Sequence, residues 1–406
     1  MKIASIIAEY NPLHGGHAHH INNTKEQTNS DYLITILSGN YVQRGLPALI
    51  DKYQRTKFAL LAGSDLVIEL PTWYALSSAE GFAFGGVSLL NQLGCVDTLS
   101  FGSEDGALSD IQTISKILVD EPPLYRELLK NELQAGSSLP LAINNALYSL
   151  NLNINSDILN GKSNNILAVE YCKSLLKLNS SINPFTIKRN GDAYHEVENT
   201  CIYPSATYIR KCIKEGLSLP SEPSLPNFVS QFLEIASKEN TCIFGNDFNQ
   251  ALVYKLQLLS HNELTSYYDV NSSIANKILN TRLEFENFDT YSNLLWSKDL
   301  TYARICRCLF HILLEMKETD YDARNQTPYA RILGFKKKAT PLLSHLKANT
   351  DIPLISKLAD AHKILNNEAL FLLNKDIEAA HIYNSIVALK SQTKTLNEYS
   401  SQIVII

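Results

Sequence analysis

The chain has little of what marks a secreted, membrane-spanning or basic nucleic-acid-coating protein. Its seven cysteines are odd in number and scattered, and no Cys-x-x-Cys pair occurs. Cys306 and Cys308 lie two apart, a spacing that suits neither a zinc knuckle nor a redox motif. The cysteines therefore read as reduced thiols used as small core residues. The apolar runs fall well short of the ~18 residues a spanning helix needs. Met1-Lys2 precedes only a brief apolar stretch that ends at Glu9, so no signal peptide is expected and the location reads as cytoplasmic. A net charge of −5 excludes a general coat of basic charge but leaves room for a local RNA-binding patch. Glycine is scarce in the second half: 15 of the 17 glycines precede residue 217, and only Gly245 and Gly334 follow.

That asymmetry divides the chain. A hydrophobic content of 45% over 406 residues supports two or three domains. In the first half, apolar runs at Lys2–Ala8, Tyr32–Leu37, Leu66–Leu70, Thr98–Phe101 and Pro184–Lys188 read as strands. Helices fit at His17–Gln27, Lys52–Leu61, Ser77–Leu93 and Asn165–Leu176. Alternation of this kind predicts an α/β domain, a Rossmann-like doubly wound parallel sheet with ligands at the carboxyl ends of its strands. Pro220, Pro223 and Pro226 fall within seven residues and mark a boundary. The expected division is a catalytic domain over 1–218 and a mainly helical domain over 227–406. Leu300–Lys317 is the clearest helix of the latter, with Thr301, Arg304, Cys308 and His311 along one stripe and Arg307 beside it.

The densest chemistry directly follows the first strand, at Glu9-Tyr10-Asn11-Pro12-Leu13-His14-Gly15-Gly16-His17. His14 and His17 are three apart, so a helical turn sets them on one side. Gly15 and Gly16 lack the Cβ atoms that would hold a ligand off the backbone. The helix N-terminus is expected to offer free N–H groups to phosphate, and imidazole donors can follow charge building on an α-phosphate. This arrangement resembles the His-x-Gly-His signature of the nucleotidyltransferase superfamily, which would imply attack on the α-phosphate of a nucleoside triphosphate with loss of pyrophosphate. Zinc binding would need a third ligand that the motif lacks.

Far downstream, Ser205-Ala206-Thr207-Tyr208-Ile209-Arg210 combines an N-cap serine with a hydroxyl and a guanidinium, a cradle for phosphates. Ser38-Gly39-Asn40 with Gln43-Arg44-Gly45, after the second strand, reads as a substrate loop, and Asp51 opens the following helix. Asn164-Asn165 begins another helix with amides suited to a base or ribose, and Lys188-Arg189-Asn190 ends the fifth strand. Asp65 and Glu69 flank a buried-looking strand and read as loop or capping partners.

Together these segments, with Asp65-Leu66-Val67-Ile68-Glu69-Leu70-Pro71, Phe101-Gly102-Ser103-Glu104 and Thr327-Pro328-Tyr329-Ala330-Arg331-Ile332-Leu333-Gly334-Phe335, resemble the bacterial tRNA(Met) cytidine acetate ligase family over nearly the whole chain. Leu13 stands where an aromatic residue is common. The resemblance implies that acetate attacks ATP to give acetyl-adenylate and pyrophosphate. The exocyclic amine of the wobble cytidine in elongator tRNA(Met) then takes the acetyl group, releasing AMP. It implies catalysis by His14 and His17. ATP binding would involve Ile7, Asn11, Gly15, Gly16, His20, Gly102, Asn165, Arg189, Ser205, Thr207 and Arg210. Magnesium is expected with ATP. RNA contacts are expected from Arg304, Arg307, Tyr329, Arg331, Lys336, Lys337 and Lys338, with tyrosine available to stack on unpaired bases.

Two other functions fit the same first half. A coenzyme-type adenylyltransferase would share the histidine chemistry but would not call for a helical extension of this size and would need a basic pocket for a phosphorylated metabolite. An RNA-binding protein holding ATP as a structural ligand would bind both and turn over neither.

Overall fold

The computed structural model describes residues 1–151, 163–189, 203–297, 300–322 and 325–406. Strands form at the short apolar runs: β1 (Ile3–Ala8), β2 (Tyr32–Ser38), β3 (Leu66–Leu70), β4 (Thr98–Ser103) and β5 (Asn183–Lys188). The inner strands are buried on both faces, which is why they read as continuous apolar runs and not as alternating ones. All five pair in parallel, in the spatial order β3-β2-β1-β4-β5. Helices α1 (Gly15–Thr28), α2 (Lys52–Ala62), α3 (Ala79–Gln92) and α4 (Ser163–Lys177) fill the crossovers. The order reverses between β1 and β4, so the crevice at the carboxyl ends of these two strands is the switch point where such sheets take ligands.

The second half is largely helical, with α5 (Ala206–Glu215) before the connection and α6 (Tyr302–Leu313) and α7 (Asn367–Ser391) beyond it. It also returns to the sheet. β6 (Ala330–Phe335) runs antiparallel along β3, and β7 (Leu354–Ile355) and β8 (Val404–Ile405) pair with β6. The stretch around Leu333-Gly334-Phe335 could pass for a core helix in the sequence, but it is a buried strand. Without it β3 would present an open apolar edge. The division at 219–226 therefore does not separate the sheet from the rest. Nor is the proline-rich connection a free spacer: Leu225 is fully buried and the Ser224 carbonyl accepts the Gly15 N–H at 2.8 Å. Among the described residues no helix is long and apolar enough to cross a membrane.

One buried ionic cluster fastens the two halves. The Lys52 ammonium lies 2.7 Å from Glu69 and also meets Glu398. Arg331 reaches Glu69 at 3.0 Å and Glu398 at 2.7 Å, and Tyr53 donates to Glu398 at 3.1 Å. Asp65, which accepts the Leu33 N–H and pairs with Lys25 at 2.6 Å, and Glu69 are both structural, as their sequence context suggests, but Glu69 pairs with the neighbouring strand and does not cap a loop.

Burial alone would push the Glu398 carboxyl up, but Lys52 and Arg331 outweigh it and hold it at about 2. A depressed carboxylate stabilises the fold fully above its unfolded value, and that contribution is lost as pH falls through the folded one. Glu398→Ala should therefore lower stability by about 3–5 kcal/mol in urea titrations near neutral pH, because it strands buried cations. Glu398→Gln should lack the loss of stability that the parent shows between about pH 4.5 and pH 2.

Candidate active site at the ends of the central strands

After β1 the chain turns through Tyr10, buried and in the left-handed region at φ 46°, and enters α1 at His14. His14 is the N-cap. Its Nδ1 accepts the Gly16 N–H at 3.1 Å, and the His17 Nδ1 accepts the His14 N–H at 3.3 Å. This is a capping box built from two imidazoles. Because each Nδ1 accepts from backbone, a neutral ring must carry its proton on Nε2. The rings stack with centroids 3.7 Å apart, and Tyr10 tilts onto His17 at 5.0 Å. Burial, then the charges of Arg189 and Arg210, push the His14 pKa down to about 3. His17 is held well below its usual value by burial, His14, Arg189 and His20. The pair is a set of neutral Nε2–H donors in a positively biased site, with His14 buried and His17 partly exposed.

The amide groups of α1 behave differently from expectation. Gly15 donates to Ser224, Gly16 to the His14 ring, and His17 to the His14 carbonyl at 2.9 Å. The first N–H groups are therefore spent within the protein, and the donors left for phosphate are the imidazoles. Gly15 serves the fold: a Cβ there would fall 2.0 Å from the Pro223 carbonyl oxygen and 2.8 Å from the Tyr203 ring. At Gly16 a Cβ would stand 3.0 Å from His14 Cε1, a tight but softer contact.

The two distant motifs meet. Ser205 caps α5 by accepting the Tyr208 N–H, and Arg210 on that helix donates to the Asn11 carbonyl at 2.6 Å and to Thr207 Oγ1 at 3.0 Å. Asn11 is buried, with its side-chain oxygen accepting the Leu49 N–H. At the end of β4, Gly102 lets the Arg189 stem lie over it, since a Cβ would be 3.3 Å from Arg189 Cγ. Arg189 is exposed and donates to Asn164. His20 shares a hydrogen bond with Ser100, which also meets Thr24, and burial holds it neutral, at about 4. Asn190 lies outside the described residues.

Several expected contacts are committed elsewhere. The Ile7 side chain packs against Gly86 of α3. Asn165 is fully buried, accepting from the Glu104 N–H and donating to Asp105, so it shapes the 103–106 turn and presents no free amide to a base. Ser38, Gly39 and Asn40 face inward: the first two offer their carbonyls to Arg55, and Asn40 accepts the Lys52 N–H. Only Gln43 and Arg44 of that loop reach the rim.

Two residues given no role from the sequence emerge here. Arg55, wholly buried, donates to the carbonyls of Glu9 (2.8 Å), Ser38 (3.0 Å), Gly39 and Ile50 (3.1 Å), tying together the ends of β1 and β2. Glu9 accepts the Gln43 N–H at 2.7 Å. The available signal was an arginine on the apolar face of α2, beside Phe58 and Ala59.

Residues 1–398 match the family described as HIGH Nucleotidyl Transferase. The chain is 42% identical to the tRNA(Met) cytidine acetate ligase of Clostridium acetobutylicum over 417 residues, covering 100% of both. The chain belongs to the tRNA(Met) cytidine acetate ligase family. Its family relative from Thermoanaerobacter sp. is 40% identical, over 94% of this chain and 95% of that one. Among solved structures, Thermotoga maritima TmcAL bound with alpha-thio ATP is similar with a TM-score of 0.90 at 28% identity, covering both chains fully. The apo form of that protein gives 0.93.

For a member of the tRNA(Met) cytidine acetate ligase family, the second half must be weighed as an RNA surface. Tyr329 is buried and donates its hydroxyl to Asp376 at 2.6 Å, leaving no face for a base. Arg331 belongs to the ionic cluster. Arg307 is mostly buried and donates to the Gln43 carbonyl at 3.3 Å. Arg304, partly exposed, pairs with Asp269 at 2.7 Å. Lys336, Lys337 and Lys338 follow β6, whose end pairs with the start of β3. They therefore lie at the amino-terminal end of the parallel strands, opposite the end that bears the histidines, separated along the strand direction by roughly 16 Å for a five-residue strand.

Substitution separates the two glycines. Gly15→Ala should lower stability by about 1–3 kcal/mol, because the Pro223 carbonyl must move, and should displace the histidines. Gly16→Ala should melt close to the parent while weakening nucleotide binding. Thermal melts paired with ATP titration by calorimetry check both.

Proposed function

We propose that this chain is an ATP-dependent acetate ligase that acetylates the exocyclic amine of the wobble cytidine of elongator tRNA(Met). The observation that carries this reading is the stacked pair of neutral Nε2–H donors of His14 and His17, beside Arg189 and Arg210 at the sheet's switch point. In the first step an acetate oxygen attacks the α-phosphorus and the α–β bridging oxygen leaves with pyrophosphate. The imidazoles hydrogen-bond the oxygens on which charge grows, and need no reorganisation to do so. Arg210, pinned to Asn11, and Arg189 over Gly102 carry the fixed positive charge that the triphosphate requires. Holding the two reactants in line supplies much of the remaining acceleration. Adenosine lies along the β1–β4 crevice, near Gly102 and Arg189.

Among the described residues no three His, Cys, Asp or Glu side chains gather into a cation cage. Magnesium would accompany the phosphates of ATP, where it would neutralise charge, and the chain's own residues position the reactants. The helical part of 227–406 receives the RNA. Arg304, which also pairs with Asp269, and the lysine run at 336–338 would contact phosphates, the latter at a distance that suits another part of the tRNA.

The test is incubation with ATP, magnesium, labelled acetate and bulk tRNA, followed by digestion. Labelled acetylcytidine in elongator tRNA(Met) is expected, and His17→Ala should reduce it by at least about 10²-fold with little change in melting temperature. Pyrophosphate release without acetylcytidine would favour the small-molecule adenylyltransferase. ATP and tRNA binding without turnover would favour the RNA-binding protein.

A further inference from the structure

The acetyl-transfer step needs a group to take a proton from the attacking amine, and the histidines cannot supply it. Each Nδ1 is occupied by a backbone N–H and each Nε2 already carries a proton. A further proton would add a cation to a stacked pair that already lies beside the charge of Arg189. Most carboxylates near the crevice are spoken for. Asp51 caps α2, Glu104 accepts from the Asn164 and Asn165 amides, and Glu69 and Glu398 hold the ionic cluster.

Glu9 differs. It is partly accessible, its backbone carbonyl is fixed by Arg55, and its Oε1 is aimed by the Gln43 N–H. Arg44, Arg210 and Arg55 surround the carboxylate, and Tyr171 of α4 lies within its field. It stands between the His14 loop and the 43–45 turn. That turn is clamped to α6, because a Cβ on Gly45 would meet the Arg307 backbone at 2.2 Å. The carboxylate is thus held against a turn that the helical half packs on.

Resting on the ligase reading above, we infer that Glu9 is the general base of acetyl transfer. The cytidine N4 forms a bond to the acetyl carbon, and the bond from that carbon to the phosphate oxygen breaks with its electron pair leaving on AMP. One N4 proton passes to the Glu9 carboxylate. Burial raises the affinity of that carboxylate for a proton against the pull of Gln43 and the three arginines, which suits a base.

The experiment uses the full chain with Glu9→Gln, which retains an acceptor for the Gln43 N–H. Two rates are measured: acetate-dependent exchange of pyrophosphate into ATP, and single-turnover transfer from synthetic acetyl-adenylate to elongator tRNA(Met). Expected are exchange within about threefold of the parent and transfer slower by about 10²-fold or more. The parent's transfer rate should climb with pH on one ionisation and then level, and the variant should lose that rise. Equal losses in both rates, or unimpaired transfer, would overturn the assignment. Should the variant not fold, a parent transfer rate flat from pH 4 to 8 overturns it and a single-ionisation rise supports it. A parent without acetate-dependent exchange would instead refute the ligase reading itself.

Discussion

Two imidazoles stacked 3.7 Å apart beside the charges of Arg189 and Arg210 cannot both be charged, and most of the site follows from keeping them neutral. Their Nδ1 atoms cap the helix that bears them, so the helix start and the tautomer are one constraint. The expected lure for phosphate, free amides at the N-terminus of α1, is given up in exchange for fixed side-chain donors. A neutral donor pair among guanidinium groups suits a substrate that arrives with its own negative charge: the anion supplies what burial and the arginines withhold.

Holding that pair still takes more of the protein than the motif. The proline-rich connection presses a carbonyl against Gly15, Arg210 reaches across 199 residues to the Asn11 carbonyl, and Arg55 gathers the strand ends beneath. The second half contributes too. Arg331 on β6 and Glu398 near the C-terminus anchor Lys52 at the start of α2, the helix that carries Arg55. Through Gly45 and Arg307, α6 is locked to the loop that orients Glu9. The helical half is thus built into the site's frame through these contacts.

The parallel sheet and the start of the two helices whose motifs meet at its carboxyl end were legible in the sequence because local pattern and short-range spacing encode them. Apolar runs marked β1 to β5 to within two residues at each end, and Ser205 and Asp51 cap their helices as their residue types require. What escaped depends on long-range pairing. β6 is bounded by Tyr329 and a lysine run, and only its neighbour β3 shows that it is a strand. Arg331 and Tyr329 look like RNA contacts in isolation and become structural once Glu69, Glu398 and Asp376 are seen beside them. The opposite holds for Glu9, which lies inside the most recognisable segment yet acquires a role only when Gln43 and three arginines converge on it.

The most direct measurement is a nitrogen-15 NMR titration of the His14 and His17 rings, free and with a non-hydrolysable ATP analogue. Both should be Nε2–H tautomers in the free protein, neutral down to pH 5 and below, with Nε2 shifts that respond to the α-phosphate. Titration near pH 6.5, or protons on Nδ1, would mean that the capping box does not hold the rings and that the donor pair is not preformed.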